Sequence, residues 1–141
     1  MKIIPVTCAI ILHQGKVLAA QRSQTMDLPG KWEFPGGKIE DGEKPEVCLV
    51  REIMEELAVK IRIIGALSPS EHSYTSGKII QLIPFLASLE SFNFQLLEHA
   101  EITWLGEKAL FSVDWAAADL PIVHELHEKW VKHVEETKPN L

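Results

Sequence analysis

The chain opens on an almost unbroken apolar run, residues 3–13 (IIPVTCAIILH), rich in β-branched side chains. That pattern predicts a buried strand. Gln14-Gly15 predicts a tight turn into a second strand over 16–21 (KVLAAQ). Residues 22–31 are polar and contain Pro29-Gly30, so a loop is expected. Trp32-Glu33-Phe34 reads as a short strand stopped by Pro35 and a Gly36-Gly37 turn. After a second polar loop, 45–57 is the strongest helix candidate, with Pro45 suited to the first turn and Glu46 to the positive end of the dipole. One or two strands are expected in 59–73, a turn at Ser76-Gly77, and strands at 78–89 and 101–105. Residues 107–110 look like one helical turn. From Pro121 to about Glu136, Ile122, Val123, Leu126, Trp130 and Val134 recur at helical spacing. The mix predicts an α+β fold, with helices packed on a mixed sheet.

Composition narrows the function. With 141 residues and 46% hydrophobic side chains, the chain fits one domain, 1–141, with its own core. No apolar run approaches the ~18 residues of a membrane span, so no membrane partner is expected. Met1–Pro5 carries no signal-peptide pattern. Cys8 and Cys48 stand in no CxxC arrangement and read as reduced thiols of a cytoplasmic protein. The net charge of −6 argues against a nucleic-acid polymer as partner, which needs a basic stripe. A small phosphorylated ligand is compatible, because a metal ion inverts the local sign of a carboxylate-lined site. Acids do concentrate in one stretch: Glu40, Asp41, Glu43, Glu46, Glu52, Glu55 and Glu56.

On a helix over 45–57, Val47, Val50, Met54 and Leu57 fall within an arc of about 80° and are expected to dock on the sheet. Glu52, Glu55 and Glu56 fall opposite, with Arg51 at their edge. A solvated face is the simple reading. Like charges at i, i+4 repel, however, and a hard divalent cation, which prefers oxygen ligands, would remove that repulsion.

The spacing Gly37-x5-Glu43-x7-Arg51-Glu52-Ile53-Met54-Glu55-Glu56-Leu57-Ala58-Val59 resembles the Nudix box, with Ala58 where the pattern has glycine. Ala19-Ala20-Gln21-Arg22, the segment Gly30 to Glu40 and Trp115-Ala116-Ala117-Ala118-Asp119 resemble the MutT-type branch, which contains 8-oxo-dGTP diphosphatases and CTP pyrophosphohydrolases. The resemblance implies a mixed sheet sandwiched between helices. It also implies Mg²⁺- or Mn²⁺-dependent hydrolysis of a nucleoside triphosphate to monophosphate and pyrophosphate. A nucleotide-binding module without turnover is the alternative class.

By the same resemblance, Glu52, Glu55, Glu56 and the Gly36 carbonyl are metal ligands, Glu52 is the general base, and Glu98 is a further ligand or alternative base. Glu43 and Arg51 orient the ligands. Arg22 contacts phosphate or base by that resemblance, and Asp119 touches the base edge. From the residues themselves, Lys38, directly after the glycines, reaches phosphate; Phe34, on the same strand face as Trp32, stacks a base or fills core; and Asp119 also suits the cap of the last helix. Oxidised purine triphosphate is the expected substrate and CTP or a modified pyrimidine triphosphate the alternative; the protein is expected to be a monomer or homodimer. The histidines show no zinc spacing with cysteine, and no Ser/His/Asp or Cys/His set emerges.

Overall fold

The computed structural model describes residues 2–74 and 77–135. Strand β1 (Lys2–His13) runs into β2 (Lys16–Gln21) through Gln14 and Gly15, both at positive φ (51° and 75°), the two-residue turn that matches strand twist. Then follow β3 (Trp32–Glu33), β4 (Gly36–Lys38), helix α1 (Pro45–Leu57), β5 (Ile61–Ala66) and β6 (Ser70–Ser73). Strands β7 (Lys78–Leu89) and β8 (Glu101–Leu105), a 3₁₀ turn (Glu107–Ala109) and helix α2 (Leu120–Glu128) complete the main elements.

β1 and β7 pair in parallel along nearly their whole length, and the other pairings are antiparallel, so the sheet is mixed. The region 59–73 resolves into two strands, both laid against β7. Alternation along β1 builds two cores. Cys8, Ile10 and Leu12 face a cluster with Ile122, Val123 and Leu126 of α2; Ala9 and Ile11 join Leu49, Ile53 and Leu57 of α1. Helices therefore cover both faces.

Three local expectations are corrected. Gly36-Gly37 is no turn; it is strand, paired with Cys8 and Thr7 of β1. The last helix breaks at Lys129 and resumes as a π turn (Val131–Glu135), although Trp130 and Val134 stay buried. The docking stripe of α1 is also different. Val47 and Met54 are 57% and 45% exposed, while Leu49, Ile53 and Leu57 are fully buried. The sheet takes the i, i+4, i+8 row of branched side chains, which turns the helix by about 80° from the expected seating. Ser76 of the expected turn, and Glu136, lie outside the described residues.

Ala58 ends α1 in the left-handed region (φ 58°, ψ 29°), its N–H donating to Met54 O. A β-carbon there costs roughly 1–2 kcal/mol, which glycine would relieve at some expense in unfolded-chain entropy. We expect Ala58→Gly to raise stability by about 0.5–1 kcal/mol, or Tm by about 2 °C, in thermal unfolding. A lower Tm would show that this turn carries no strain.

Candidate active site

The site begins where β1 changes partner on one edge from β2 to β4. Two glycines allow this by close approach rather than unusual dihedrals. A Cβ on Gly36 would stand 2.0 Å from the Thr7 carbonyl oxygen, and one on Gly37 would stand 2.2 Å from Cδ of Glu52. The Thr7 hydroxyl donates to Gly37 O (3.1 Å), and the buried Cys48 thiol donates to Lys38 O (3.3 Å). β4 is thus fastened both to β1 and to the acidic helix α1.

Arg51 organises that helix. Its Nε and Nη2 donate to the two oxygens of Glu43 at 2.8 and 2.9 Å, a forked pair. Nη1 donates to Glu52 (3.1 Å) and to Glu55 (3.2 Å). The guanidinium bonds hold the Glu43 carboxyl down at about 2. The changed seating of α1 separates the three helix glutamates. Glu56 is buried, Glu52 is half-buried, and Glu55 is 55% exposed and held to Arg51.

Burial pushes Glu56 up to about 9, and the negative charges of Glu33, Glu98 and Glu52 add to the push. Its Oε2 is buried without a hydrogen-bond partner among the described residues. Glu52 is also raised, chiefly by burial. Glu98 reaches this group because its loop is tied to the end of α1: Gln95 N–H donates to Leu57 O (2.9 Å) and Leu97 N–H to Glu56 O (3.0 Å). Among the described residues no three such side chains already close into a metal cage. The donor set nonetheless suits a hard cation: all oxygen, mutually repelling, with one buried oxygen unsatisfied.

A cleft of about 650 Å³ extends from Glu56 to Asp119. Gly36, Lys38, Arg22 and Phe34 line it, as do Tyr74 and, on one side, Met26 and Leu28 of the 22–31 loop. The ring of Phe34 is buried against Trp115 (centroids 4.8 Å apart), so it serves the core as well as the wall. Asp119 sits at the N-cap position of α2 but makes no side-chain cap; its Oδ2 accepts from Phe34 N–H at 2.9 Å. Burial pushes its carboxyl up to about 8. Sequence reasoning missed Glu33, which lines the cleft and bonds both Arg22 (2.7 Å) and His99 (2.8 Å). An acid between two aromatic residues in a very short strand was the available signal.

The family model described as NUDIX domain matches residues 1–133. The chain is 37% identical over 123 residues to the CTP pyrophosphohydrolase of Escherichia coli, covering 87% of this chain and 90% of that one. It is 31% identical over 129 residues to the 8-oxo-dGTP diphosphatase of Haemophilus influenzae, covering 89% and 92%. The solution structure of the E. coli ORF135 protein superposes with a TM-score of 0.78 at 33% identity, covering 92% of this chain and 91% of that one. The MutT protein of Methanosarcina mazei shares the fold, with a TM-score of 0.80 at 22% identity over 93% and 96% of the two chains. A box-bearing helix, a cleft that reaches its buried Glu56 and a family match over nearly the whole length lead to one conclusion: this chain belongs to the Nudix hydrolase family.

Proposed function

We propose that this enzyme hydrolyses free nucleoside triphosphates to nucleoside monophosphate and pyrophosphate, using Mg²⁺ or Mn²⁺. The observation that carries the reading is Glu56: a buried, unpaired carboxylate oxygen at the end of a nucleotide-sized cleft, among other carboxylates. Glu52 and Glu56, with Glu55, Glu98 and the Gly36 carbonyl, would hold the ions. Bound ions would neutralise the phosphate chain and acidify the attacking water. Glu52 would accept the proton of the attacking water. Arg51 and Glu43 keep its carboxylate aimed, and Arg22 and Lys38 meet phosphate oxygens or the base. Phe34 serves as wall and Asp119 reads the base edge. Reduced, buried Cys8 and Cys48 agree with a cytoplasmic setting.

Asp119 bears on the substrate. With its carboxyl held at about 8, it is an acid at neutral pH and offers one donor beside an acceptor. Guanine presents two acceptors, N7 and O6, to such a group. In 8-oxoguanine N7 carries a hydrogen, so the edge becomes donor beside acceptor and matches. We therefore read oxidised purine triphosphate as the substrate and its removal from the precursor pool as the role. Cytosine, with N3 beside its N4 amine, matches the same pair, and the 37% identity to a CTP pyrophosphohydrolase favours it as the second reading.

Pyrophosphate release from 8-oxo-dGTP, dGTP, CTP and dCTP with Mg²⁺ tests this. We expect kcat/KM for 8-oxo-dGTP to exceed that for dGTP at least about tenfold, and Asp119→Ala to erase the preference. An unchanged preference in the variant removes Asp119 from base reading. Tight binding with no turnover across the panel would make the protein a nucleotide-binding module.

A further inference from the structure

Arg22, Glu33 and His99 form a linked set that neither the acidic helix nor the base end of the cleft explains. Glu33 Oε1 accepts from Arg22 Nη1 at 2.7 Å, and Oε2 accepts from His99 Nε2 at 2.8 Å. A carboxylate only accepts, so the ring hydrogen sits on Nε2. The His99 side chain is fully buried, and Nδ1 has no partner among the described residues. The bond to Glu33 is therefore the ring's polar anchor.

His99 directly follows Glu98 in a segment without regular secondary structure. The backbone on either side is fastened: Leu97 N–H to Glu56 O (3.0 Å) and Ala100 N–H to Gln21 O (2.9 Å). Between these two ties, the buried His99 ring holds the loop to Glu33 of β3. Glu33 meanwhile spends its other oxygen on Arg22, whose backbone closes the 22–31 loop by bonds to Gly30 and Lys31. One carboxylate thus joins the loop that carries Glu98 to the loop that Arg22 closes.

We propose that His99 is a positioning residue for Glu98, and that Glu33 is the shared anchor holding the acidic loop and the Arg22 loop in one register. The inference rests on the triphosphate-hydrolase reading. It assigns no chemistry to His99 itself; the ring fixes where the neighbouring carboxylate stands. Glu33 needs both oxygens for this, since two donors arrive at once, and a glutamine there keeps one acceptor for two donors.

The test combines steady-state kinetics of pyrophosphate release with amide hydrogen exchange. His99→Phe keeps the ring and removes the donor. We expect kcat to fall about tenfold with KM within about twofold, and exchange at the Leu97 and Ala100 amides to quicken while Ile53 and Leu57 in α1 are unchanged. His99→Gln, which restores an N–H at similar reach, recovers most of the loss. Glu33→Gln lowers kcat and raises KM together, because Arg22 loses its partner as well. In a Glu98→Gln background, His99→Phe adds no further loss of kcat.

Wild-type kcat and exchange in His99→Phe would overturn the proposal, as would a loss that adds fully to that of Glu98→Gln. If His99→Phe does not fold, Glu33→Gln is judged by hydrogen exchange: quicker exchange at Leu97 and Ala100 supports the proposal, and unchanged exchange there overturns it. A wild-type protein with no turnover counts against the hydrolase reading instead, and the exchange measurement still decides the positioning role.

Discussion

Glu56→Gln removes turnover by at least about a hundredfold and, in metal-free protein, raises stability above neutral pH. The two effects share one cause. Glu56 is held at about 9, well above its usual 4.5, by burial and by the carboxylates around it. Between those values the folded protein keeps a proton that the unfolded chain has released. Stability therefore falls as pH rises from about 4.5 to about 9, by up to ~1.4 kcal/mol per pH unit. Asp119, raised from 3.8 to about 8, adds a slope of the same sign. Glutamine keeps the shape and removes the charge, so the first slope disappears, and the ionised oxygen that would hold a cation disappears with it.

Differential scanning fluorimetry without metal should give a lower Tm at about pH 8 than at about pH 5.5, with a smaller gap in the variant. Added Mg²⁺ should raise the wild-type Tm at the higher pH and leave the variant unmoved. Full activity in Glu56→Gln, or a wild-type Tm that ignores both pH and Mg²⁺, would sink the metal-site reading.

The second large effect separates two adjacent glycines. A Cβ at Gly37 meets the carboxylate end of Glu52, which can swing away. A Cβ at Gly36 meets the Thr7 carbonyl oxygen at 2.0 Å, which cannot move without parting β4 from β1. Gly37→Ala should therefore fold with a loss below about 1.5 kcal/mol, whereas Gly36→Ala should lose about 3 kcal/mol or more. Gly37→Ala should nonetheless lose about a hundredfold in kcat, because a displacement of about 1 Å at a reacting group is enough. Thermal unfolding and kinetics on both variants check the contrast. Equal Tm values, or an active Gly37→Ala, would contradict the placement of Glu52 over that glycine.

Strand and helix positions were legible because each depends on local pattern. β1, β2 and α1 follow from an apolar run, a Gln-Gly turn and Pro45 ahead of a helical stretch. The grouping of Arg51, Glu52 and Glu55 was legible too, since neighbours on one helix meet by spacing, whereas Glu43 entered through the resemblance to the box. The orientation of α1 was not. Val47, Val50 and Met54 form as good a stripe on paper as Leu49, Ile53 and Leu57, and only the sheet's own surface selects between them. Glu33 and His99 were equally hidden, because 66 residues separate them in the chain.

The sequence by itself determined the elements, the acidic helix and its arginine clamp, all set by contacts within a few residues. Tertiary structure decided which glutamate is buried, which glycine touches it and which distant side chains anchor the loops. Desolvation and steric contact depend on what the whole fold packs against a residue, and no local pattern records that.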